Sequence, residues 1–540
     1  MNTLDDAKSE DRRSMGWLVI VAALALTAGR IAVVSSDEGD TAFLSANDRS
    51  RWCTVASLVE DGTYEIDRQI SIVNPIHRHR YPWQTIDKVQ HLGDDGELHF
   101  YSSKPPLFPT MVAGVYAMIR QVTGLSMTDH PAYVPRMVLA IVNLPMMFVF
   151  LWATIGVINR VCRSQWSRSV GAVAASFGTM VLPFSISLNN HLPAAAAIAL
   201  VMGIYFKLSD DLRSAKQTKP KFWFCFIAGV AAAFAAANEL PALSMTVFWA
   251  GLFWLLSSRT VIPFLLGILL VAVAFFGTNW IAHQSLRPPY AHRGDGSQIK
   301  LLKITEDVRN IEPSKSLILR EQVRTVLNED FALRPTDNVE IAKSDEADRW
   351  RVFSPVGHFS LIQNGDQWRL GRWDDWYEYP GSYWQDGNRR GVDRGEPSRA
   401  IYLFHATIGH HGIFSLTPFW LLFPLGMVSL WKREEHRWLS FTAASVLATV
   451  VCFTFYMLRP MIDRNYGGVS VCFRWLLWLA PIWLVLASSA LDRMASNRSM
   501  RRLVVALLAL SVFSVSTALS SPWQSPWLYQ YWQFLGWLDN

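Results

Sequence analysis

Charged residues are scarce in this chain. Of its 540 residues only 17% are Asp, Glu, Lys or Arg, whereas 51% are hydrophobic. Charge is nearly absent from long runs such as 16–34 and 261–281, each close to the ~20 residues that span a bilayer as a helix. So little charge excludes an ordinary soluble protein. The sequence therefore predicts an all-α polytopic membrane protein.

Closely spaced cysteines are also missing. The chain has five cysteines, and no two of them form a Cys-x-x-Cys pair. This spacing argues against a disulfide framework and against a cysteine zinc site, and it favours their use as small hydrophobic side chains. They are Cys53, Cys162, Cys225, Cys452 and Cys472.

Further absences bear on partners and processing. No internal repeat or low-complexity tract is present, and the residues that give the net charge of +6 lie mostly in short loops. Such a location is a topology signal, so no nucleic acid partner is predicted. No small-residue cleavage pattern follows Lys8, Arg12 and Arg13, which predicts that the first apolar run is an anchor rather than a removed signal peptide.

The positive-inside rule sets the number of spans, because adding or removing one span moves every later loop to the other side. When the run 107–123 lies on the membrane surface as a juxtamembrane helix, the short outer loops hold only Arg459, Arg464 and Arg474 as basic residues. The N-terminus is then cytoplasmic and the C-terminus extracytoplasmic, in the cell inner (plasma) membrane. About eleven spans are predicted: 16–34, 137–158, 169–187, 192–207, 222–237, 241–257, 261–283, 412–431, 438–457, 475–491 and 502–520.

Two large loops, 35–136 and 284–411, fall on the outer side of this arrangement. Turn residues at 93–96 predict a hairpin in the first loop, and turn residues at 363–366, between 350–362 and 367–379, predict a second hairpin. The second loop is therefore expected to form a small β-containing subdomain. The predicted domains are a cytoplasmic tail 1–15, an N-terminal transmembrane module 16–283 that includes loop 35–136, the loop subdomain 284–411, the C-terminal transmembrane helices 412–520, and an interfacial tail 521–540.

The first loop combines carboxylates with cations. Attack of an acceptor hydroxyl on a phosphate-activated sugar needs a carboxylate that takes the hydroxyl proton and cations that hold the phosphate. Asp48 and Arg51 are three residues apart, so they share one face of a helix that begins at Asn47 or Asp48 as N-cap. Lys104 precedes two prolines that fix the backbone where the juxtamembrane helix begins. The alternative is that Asp48 only caps a helix and that the two cations only contact the membrane interface.

These residues lie in motifs that resemble a known family. Asp48-x-x-Arg51, the helix ending at 58–64 and the stretch Tyr101-Ser102-Ser103-Lys104-Pro105-Pro106 resemble the GT-C superfamily of membrane glycosyltransferases. The resemblance is to its branch of aminoarabinose transferases and protein O-mannosyltransferases. It implies a polyprenyl-phosphate sugar as donor, juxtamembrane helices in the first loop, Asp48 as the catalytic base, and Arg51 and Lys104 as ligands of the donor phosphate.

The chain departs from the family motif at two positions. Arg49 stands in place of the usual second acid, and Trp52 stands in place of the tyrosine. The acidic run Asp37, Glu38 and Asp40 therefore stays open as the alternative source of the base. The same carboxylates suit a divalent cation, which is the one cofactor left open.

A second resemblance lies near the C-terminus. The stretch 465–475 resembles a Tyr-Gly-Gly-Trp-x-x-Gly-x-Arg-Tyr motif of GT-C-like bacterial proteins, with departures at Val469 and Cys472. It implies phosphate binding by Arg474, against an ion pair with an acid such as Asp463. His191 and Glu239 are predicted to line a donor or acceptor cavity, or else to cap helix ends. His405, His410 and His411 lack the His-Glu-x-x-His pattern, so no zinc site is predicted.

The sequence thus favours an inverting glycosyltransferase that moves a sugar from a polyprenyl-phosphate donor to a lipid, glycan or protein acceptor on the extracytoplasmic face. Membrane lipids are its other predicted partners. Two alternatives remain: a transporter or flippase of a polyprenyl-linked lipid, and a non-catalytic envelope-assembly protein on the same fold. Transporters usually carry paired, broken helices in two halves, and the sequence shows no such repeat.

Overall fold

The structure is a computed structural model that describes residues 2–214, 219–303, 312–344, 348–364, 367–385, 387–433 and 435–538. Its α-helices are α1 Asn2–Val33, α2 Ala46–Glu60, α3 Asp67–Ile70, α4 Leu107–Thr123, α5 Tyr133–Val161, α6 Gln165–Phe177, α7 Val181–Phe184, α8 His191–Arg213, α9 Phe222–Asn238, α10 Ala242–Leu256, α11 Val261–His283, α12 Leu317–Phe331, α13 Arg399–Thr407, α14 Ile413–Leu416, α15 Phe423–Trp431, α16 His436–Met457, α17 Ala480–Ser488, α18 Leu491–Met494, α19 Arg498–Thr517 and α20 Trp527–Phe534. Its strands are β1 Lys88–Leu92, β2 Leu98–Ser102, β3 Gln298–Lys303, β4 Glu340–Lys343, β5 Arg349–Ser354, β6 Gly357–Asn364 and β7 Gln367–Arg372.

Seven helical segments within the described ranges are long and apolar enough to cross a membrane, by length and composition. Three shorter apolar helices accompany them: Phe222–Asn238, Ala242–Leu256 and Pro418–Trp431. The helix Leu107–Thr123, predicted to lie on the membrane surface, belongs to neither group. The seven segments are Met15–Val33, Tyr133–Val161, His191–Arg213, Ser258–His283, His436–Met457, Arg474–Met494 and Arg498–Thr517.

The predicted count of eleven spans is not confirmed. The predicted span 169–187 is interrupted, because α6 ends at Phe177 and only the short α7 follows. The predicted span 412–431 is also interrupted: the short α14 is followed by a 3₁₀ segment that starts at Pro418. Proline has no N–H to donate and disfavours the helical conformation in the residue before it, which accounts for the break at Thr417.

The chain divides into two compact units. The first unit comprises Met1–Asp48, Leu107–Phe275 and Arg390–Asn540, and the second comprises Arg49–Pro106 and Phe276–Arg389. The division falls inside α2, directly after Asp48. Each unit thus draws on several of the predicted domains, whose boundaries relative to the membrane remain a prediction.

The first unit is a bundle of apolar helices with one large core. Small residues allow its helices to approach closely. A Cβ atom on Gly229 of α9 would lie 1.9 Å from the backbone oxygen of Phe264, and one on Gly267 of α11 would lie 2.2 Å from the backbone oxygen of Phe226. The backbones of α9 and α11 therefore touch, and glycine is required at both positions.

The second unit carries the β structure that was predicted in both large loops. Strands β1 and β2 pair antiparallel, from Lys88 opposite Ser102 to Leu92 opposite Leu98, which confirms the predicted hairpin at 93–96. The other strands form an antiparallel sheet in the order β3-β7-β6-β5-β4, and α12 shares its core.

One strand prediction in this unit was wrong. The stretch 350–362 was expected to be a single arm of a hairpin, but it contains most of two paired strands, β5 and β6. The chain turns between Ser354 and Gly357, where Pro355 interrupts the alternating pattern. The second arm, β7, pairs with β6 as predicted, although residues 365 and 366 of the turn lie outside the described residues.

Candidate functional site

Asp48 lies at the start of α2, where it takes part in a reciprocal cap. Its carboxylate accepts hydrogen bonds from the N–H of Leu44 at 3.0 Å and from the N–H of Ser45 at 2.7 Å. The Ser45 hydroxyl accepts from the N–H of Asn47 and of Asp48. This is a capping box, and Ser45, rather than the predicted Asn47 or Asp48, occupies the N-cap position. Asp48 is fully buried.

The acidic run upstream forms a surface turn in the first unit. Asp37 and Glu38 are exposed, and the Ser36 hydroxyl donates to the Asp40 carboxylate at 2.9 Å. In the part of the chain that the structure describes, no group of three or more His, Cys, Asp or Glu side chains is placed to hold a metal ion. The described residues therefore provide no set of ligands for the divalent cation that the sequence analysis left open.

Lys104 forms an ion pair with an acid that the sequence analysis did not select. In the second unit its ammonium lies 2.9 Å from the Asp87 carboxylate, and both side chains are largely buried. Asp87 immediately precedes β1 and Lys104 follows β2, so the pairing of the strands brings the two residues to the same end of the hairpin. The predicted hairpin was the available signal, since its strands bring 87 close to 103, and the observed register places them opposite each other.

Backbone contacts fix this end of the hairpin against α2. The Ser50 hydroxyl donates to the backbone oxygen of Asp87 at 2.5 Å and lies 2.6 Å from the Ser102 hydroxyl. The N–H of Ser103 also donates to the backbone oxygen of Asp87. The next residue on α2 is Arg51, which is buried in the same unit.

Aromatic side chains lie near Asp87 within the second unit. Burial raises the pKa of Tyr377 and raises the pKa of Tyr379 to about 12, and the Asp87 charge acts on both phenols in the same direction. The indole N–H of Trp384 donates to the backbone oxygen of Ile86 at 2.7 Å. The Arg293 guanidinium lies 4.0 Å from the ring centre of Tyr377 and 5.5 Å from that of Trp384.

A second cluster joins three residues that the sequence analysis had selected separately. In the first unit Arg474 donates from Nη1 to Nε2 of His191 at 2.8 Å, and the other ring nitrogen of His191 contacts the Glu239 carboxylate. The Asn190 amide donates to the same carboxylate oxygen at 2.6 Å. His191 and Glu239 are buried. The order of contacts makes Nδ1 the protonated nitrogen of a neutral His191.

These residues lie where helices end. His191 begins α8, Glu239 directly follows α9, and Arg474 begins a 3₁₀ segment that leads into α17. A position at a helix end is compatible with both predicted roles of His191 and Glu239, cavity lining and helix capping. The acid proposed as an alternative partner of Arg474, Asp463, pairs with Arg459 at 2.6 Å.

The loop 465–473 fits closely around the Arg474 side chain. Arg474 donates from Nε to the backbone oxygen of Gly467 at 2.6 Å, and its guanidinium lies 4.7 Å from the ring centre of Trp523. A Cβ atom on Gly467, which has a φ of +98°, would lie 2.3 Å from Arg474 Nε. The glycine of the sequence motif therefore makes room for the arginine of the same motif.

The three histidines His405, His410 and His411 lie together as a cluster of rings. The rings of His405 and His410 are stacked 3.8 Å apart, and Nδ1 of His410 lies 2.5 Å from Nδ1 of His411. Burial lowers the pKa of His410 to about 3 and lowers the pKa of His411 well below its ordinary value. These histidines form a neutral aromatic cluster with Tyr466, on which His411 stacks.

Comparison with known proteins gives matches among solved structures alone. No family model matches the chain, and no curated protein matches it. The protein O-mannosyltransferase complex Pmt1-Pmt2 of S. cerevisiae, bound to its sugar donor, matches 97% of this chain and 92% of its own chain, with 13% identity and a TM-score of 0.47.

The Archaeoglobus fulgidus oligosaccharyltransferase matches in several forms, among them the apo form and a form with bound ligands. The apo form covers 97% of this chain with 11% identity and a TM-score of 0.41. The form with an inhibitory peptide and a dolichol-phosphate covers 97% of this chain with 12% identity and a TM-score of 0.40. The chain spans 57% of the length of this archaeal protein. The function proposed for this chain therefore rests on its own side chains.

Proposed function

We propose that this chain is an integral-membrane glycosyltransferase that moves a sugar from a polyprenyl-phosphate donor to an acceptor hydroxyl. The donor class combines an apolar chain with an anionic phosphate. A protein that binds it needs apolar helices together with a buried cation near their ends. The proposed reaction is inverting, with one displacement at the anomeric carbon and no covalent enzyme intermediate.

The observation that carries the proposal is the geometry of Arg474. A buried guanidinium held by Gly467, His191 and Trp523 at the start of an apolar segment is oriented before any ligand arrives. Guanidinium groups bind phosphate through paired, charge-assisted hydrogen bonds. Because the orientation is already fixed, less conformational entropy is lost on binding.

The remaining roles follow the sequence motifs. Arg51 and Lys104 are proposed as further ligands of the donor phosphate. His191 and Glu239 are proposed to hold the guanidinium of Arg474. The base is proposed to be an acid of the 35–52 region, for which the motifs favour Asp48 over Asp37, Glu38 and Asp40.

The first test measures phosphate recognition without knowledge of the sugar. The purified full chain in nanodiscs is titrated with undecaprenyl phosphate, and Arg474→Ala is compared with wild type. Hydrogen bonds to charged groups contribute about 1.5–3 kcal/mol each, so the variant is expected to bind at least tenfold more weakly. Arg459→Ala is the matched control, since Arg459 is a half-exposed arginine of the neighbouring segment that pairs with Asp463.

The second test identifies the donor. Lipid-linked glycans are profiled in a strain that lacks the gene, where the unused polyprenyl-phosphate sugar is expected to accumulate. Wild-type protein should remove the accumulated lipid and Arg474→Ala should not. An unchanged lipid profile, together with no binding of undecaprenyl phosphate by wild type, would refute the proposed function.

A further inference from the structure

We infer that Asp87, rather than Asp48, is the carboxylate that takes the proton from the acceptor hydroxyl. The inference deepens the proposed function and rests on it. It also changes the location of the base, from the start of α2 to the end of the β1–β2 hairpin in the second unit.

The contacts of Asp48 suit a structural role. Its carboxylate accepts hydrogen bonds from two backbone N–H groups and from the Ser45 hydroxyl. Its side chain has no exposed surface. A base must reach the proton that it removes, and the Asp48 carboxylate inside the capping box has no exposed surface from which it could reach one.

The contacts of Asp87 suit a catalytic role. Its side chain is 11% exposed and that of Lys104 is 18% exposed, so both reach the surface of the unit. Its backbone oxygen accepts hydrogen bonds from Ser50 and Ser103, which fix the backbone while the carboxylate faces Lys104. The acid is thus held next to the lysine that the sequence motifs assign to the donor phosphate.

The surroundings of the pair match the chemistry of a sugar site. Tyr377 and Trp384 lie beside Asp87 with Arg293 stacked over both rings. Tyr377 is buried, whereas Trp384 is partly exposed, so Trp384 is the ring that can offer an apolar face to the C–H groups of a pyranose, and carboxylates accept hydrogen bonds from its hydroxyl groups. The predicted acceptor is therefore a hydroxyl on a carbohydrate.

The proposed step balances without a further reactant. The acceptor O–H proton moves to an Asp87 oxygen while the acceptor oxygen forms a bond to the anomeric carbon. The bond from that carbon to the phosphate oxygen breaks, and its electron pair leaves with the polyprenyl phosphate. Lys104 compensates the charge that develops on that phosphate, and the proton of Asp87 is later lost to water.

The test compares Asp87→Asn with Asp95→Asn, which changes an acid at the exposed tip of the same hairpin. Transfer is measured with the polyprenyl-phosphate sugar that accumulates in the deletion strain, using full-length protein in nanodiscs. Loss of a general base typically lowers turnover about 10²–10⁴-fold, so Asp87→Asn is expected to lose at least 100-fold in kcat. Asp95→Asn is expected to keep wild-type turnover.

Three further measurements separate catalysis from structure. Asp87→Asn should bind undecaprenyl phosphate at least as tightly as wild type, because Lys104 loses a competing carboxylate. The fall of kcat/KM toward acid pH should disappear in Asp87→Asn, and Asp87→Glu should restore part of the turnover. A structural role would instead lower phosphate affinity and the melting temperature together.

Three results would overturn the inference. The first is turnover of Asp87→Asn within threefold of wild type. The second is loss of phosphate binding in parallel with turnover. The third is loss of transfer in Asp48→Asn at an unchanged melting temperature while Asp87→Asn retains it, which would return the role to Asp48. Absence of transfer by wild-type protein with every accumulated lipid would refute the proposed function, and the inference with it.

Discussion

Substitution of Gly467 by alanine should uncouple Arg474 from phosphate. The added Cβ would lie 2.3 Å from Nε, 2.7 Å from Cγ and 2.9 Å from Cδ of Arg474. All three distances are below the contact limit, so the arginine side chain must move. Its hydrogen bond to the backbone oxygen of Gly467, now 2.6 Å, is expected to break.

Gly468 provides the matched control for this substitution. Gly467 has a φ of +98° and Gly468 a φ of +74°, and alanine in the left-handed region costs about 1–2 kcal/mol at either position. A Cβ on Gly468 would meet only the Asp393 carboxylate, at 3.6 Å. Both variants therefore place alanine at a positive φ, and only Gly467→Ala displaces the guanidinium.

The assay measures the affinity for undecaprenyl phosphate and the melting temperature of both variants in nanodiscs. Loss of one or two charge-assisted hydrogen bonds, about 1.5–3 kcal/mol each, corresponds to a decrease in affinity of at least tenfold for Gly467→Ala. Gly468→Ala should keep the wild-type affinity at a similar melting temperature. Equal affinities in the two variants would refute the assignment of Arg474 to phosphate.

Three further predictions follow from other contacts. Burial lowers the pKa of His91 from 6.5 to about 4, so the folded protein holds the neutral imidazole. The contribution of this group to the free energy of unfolding, about 3 kcal/mol at most, is present above pH 6.5 and is lost as the pH falls toward 4. His91→Phe should therefore flatten the dependence of the unfolding midpoint on pH in that window. Gly229→Leu should prevent the packing of α9 on α11 and lower the yield of folded protein, whereas Gly251→Leu, at a helical glycine with open space around it, should not. Trp523→Ala should weaken undecaprenyl phosphate binding by several-fold, since a partly desolvated cation–π contact contributes about 1–2 kcal/mol to the placement of Arg474. Trp523→Phe should restore most of the binding affinity.

Local features of the fold were predictable because they depend on neighbouring residues. The β1–β2 hairpin followed from the turn residues at 93–96, and the capping role of Asp48 was one of the two alternatives that its position allowed. The broken spans were missed because hydrophobic runs were counted without regard to Pro418 and Gly178, where regular helix stops.

The pairings at the candidate site were not predictable in the same way. His191, Glu239 and Arg474 were selected one by one, and their contact depends on the packing of segments far apart in the chain. Asp87 was missed because the search for a base followed the family motif, which lies upstream. The predicted hairpin implied that Asp87 and Lys104 lie near the same end of two paired strands. The exact register and the ion pair between the two side chains could be read only from the structure.

The composition of the second unit has a consequence for biosynthesis. The hairpin segment 49–106 emerges from the ribosome well before 276–389, with several apolar helices made in between. The N–H of Gln90 donates to the backbone oxygen of Trp376, and Val89 and Tyr101 share a core with Trp376 and Tyr377. During translation the early half must therefore wait with an apolar surface uncovered. The nascent chain is most vulnerable to proteolysis and misassembly in that interval, before its later half arrives.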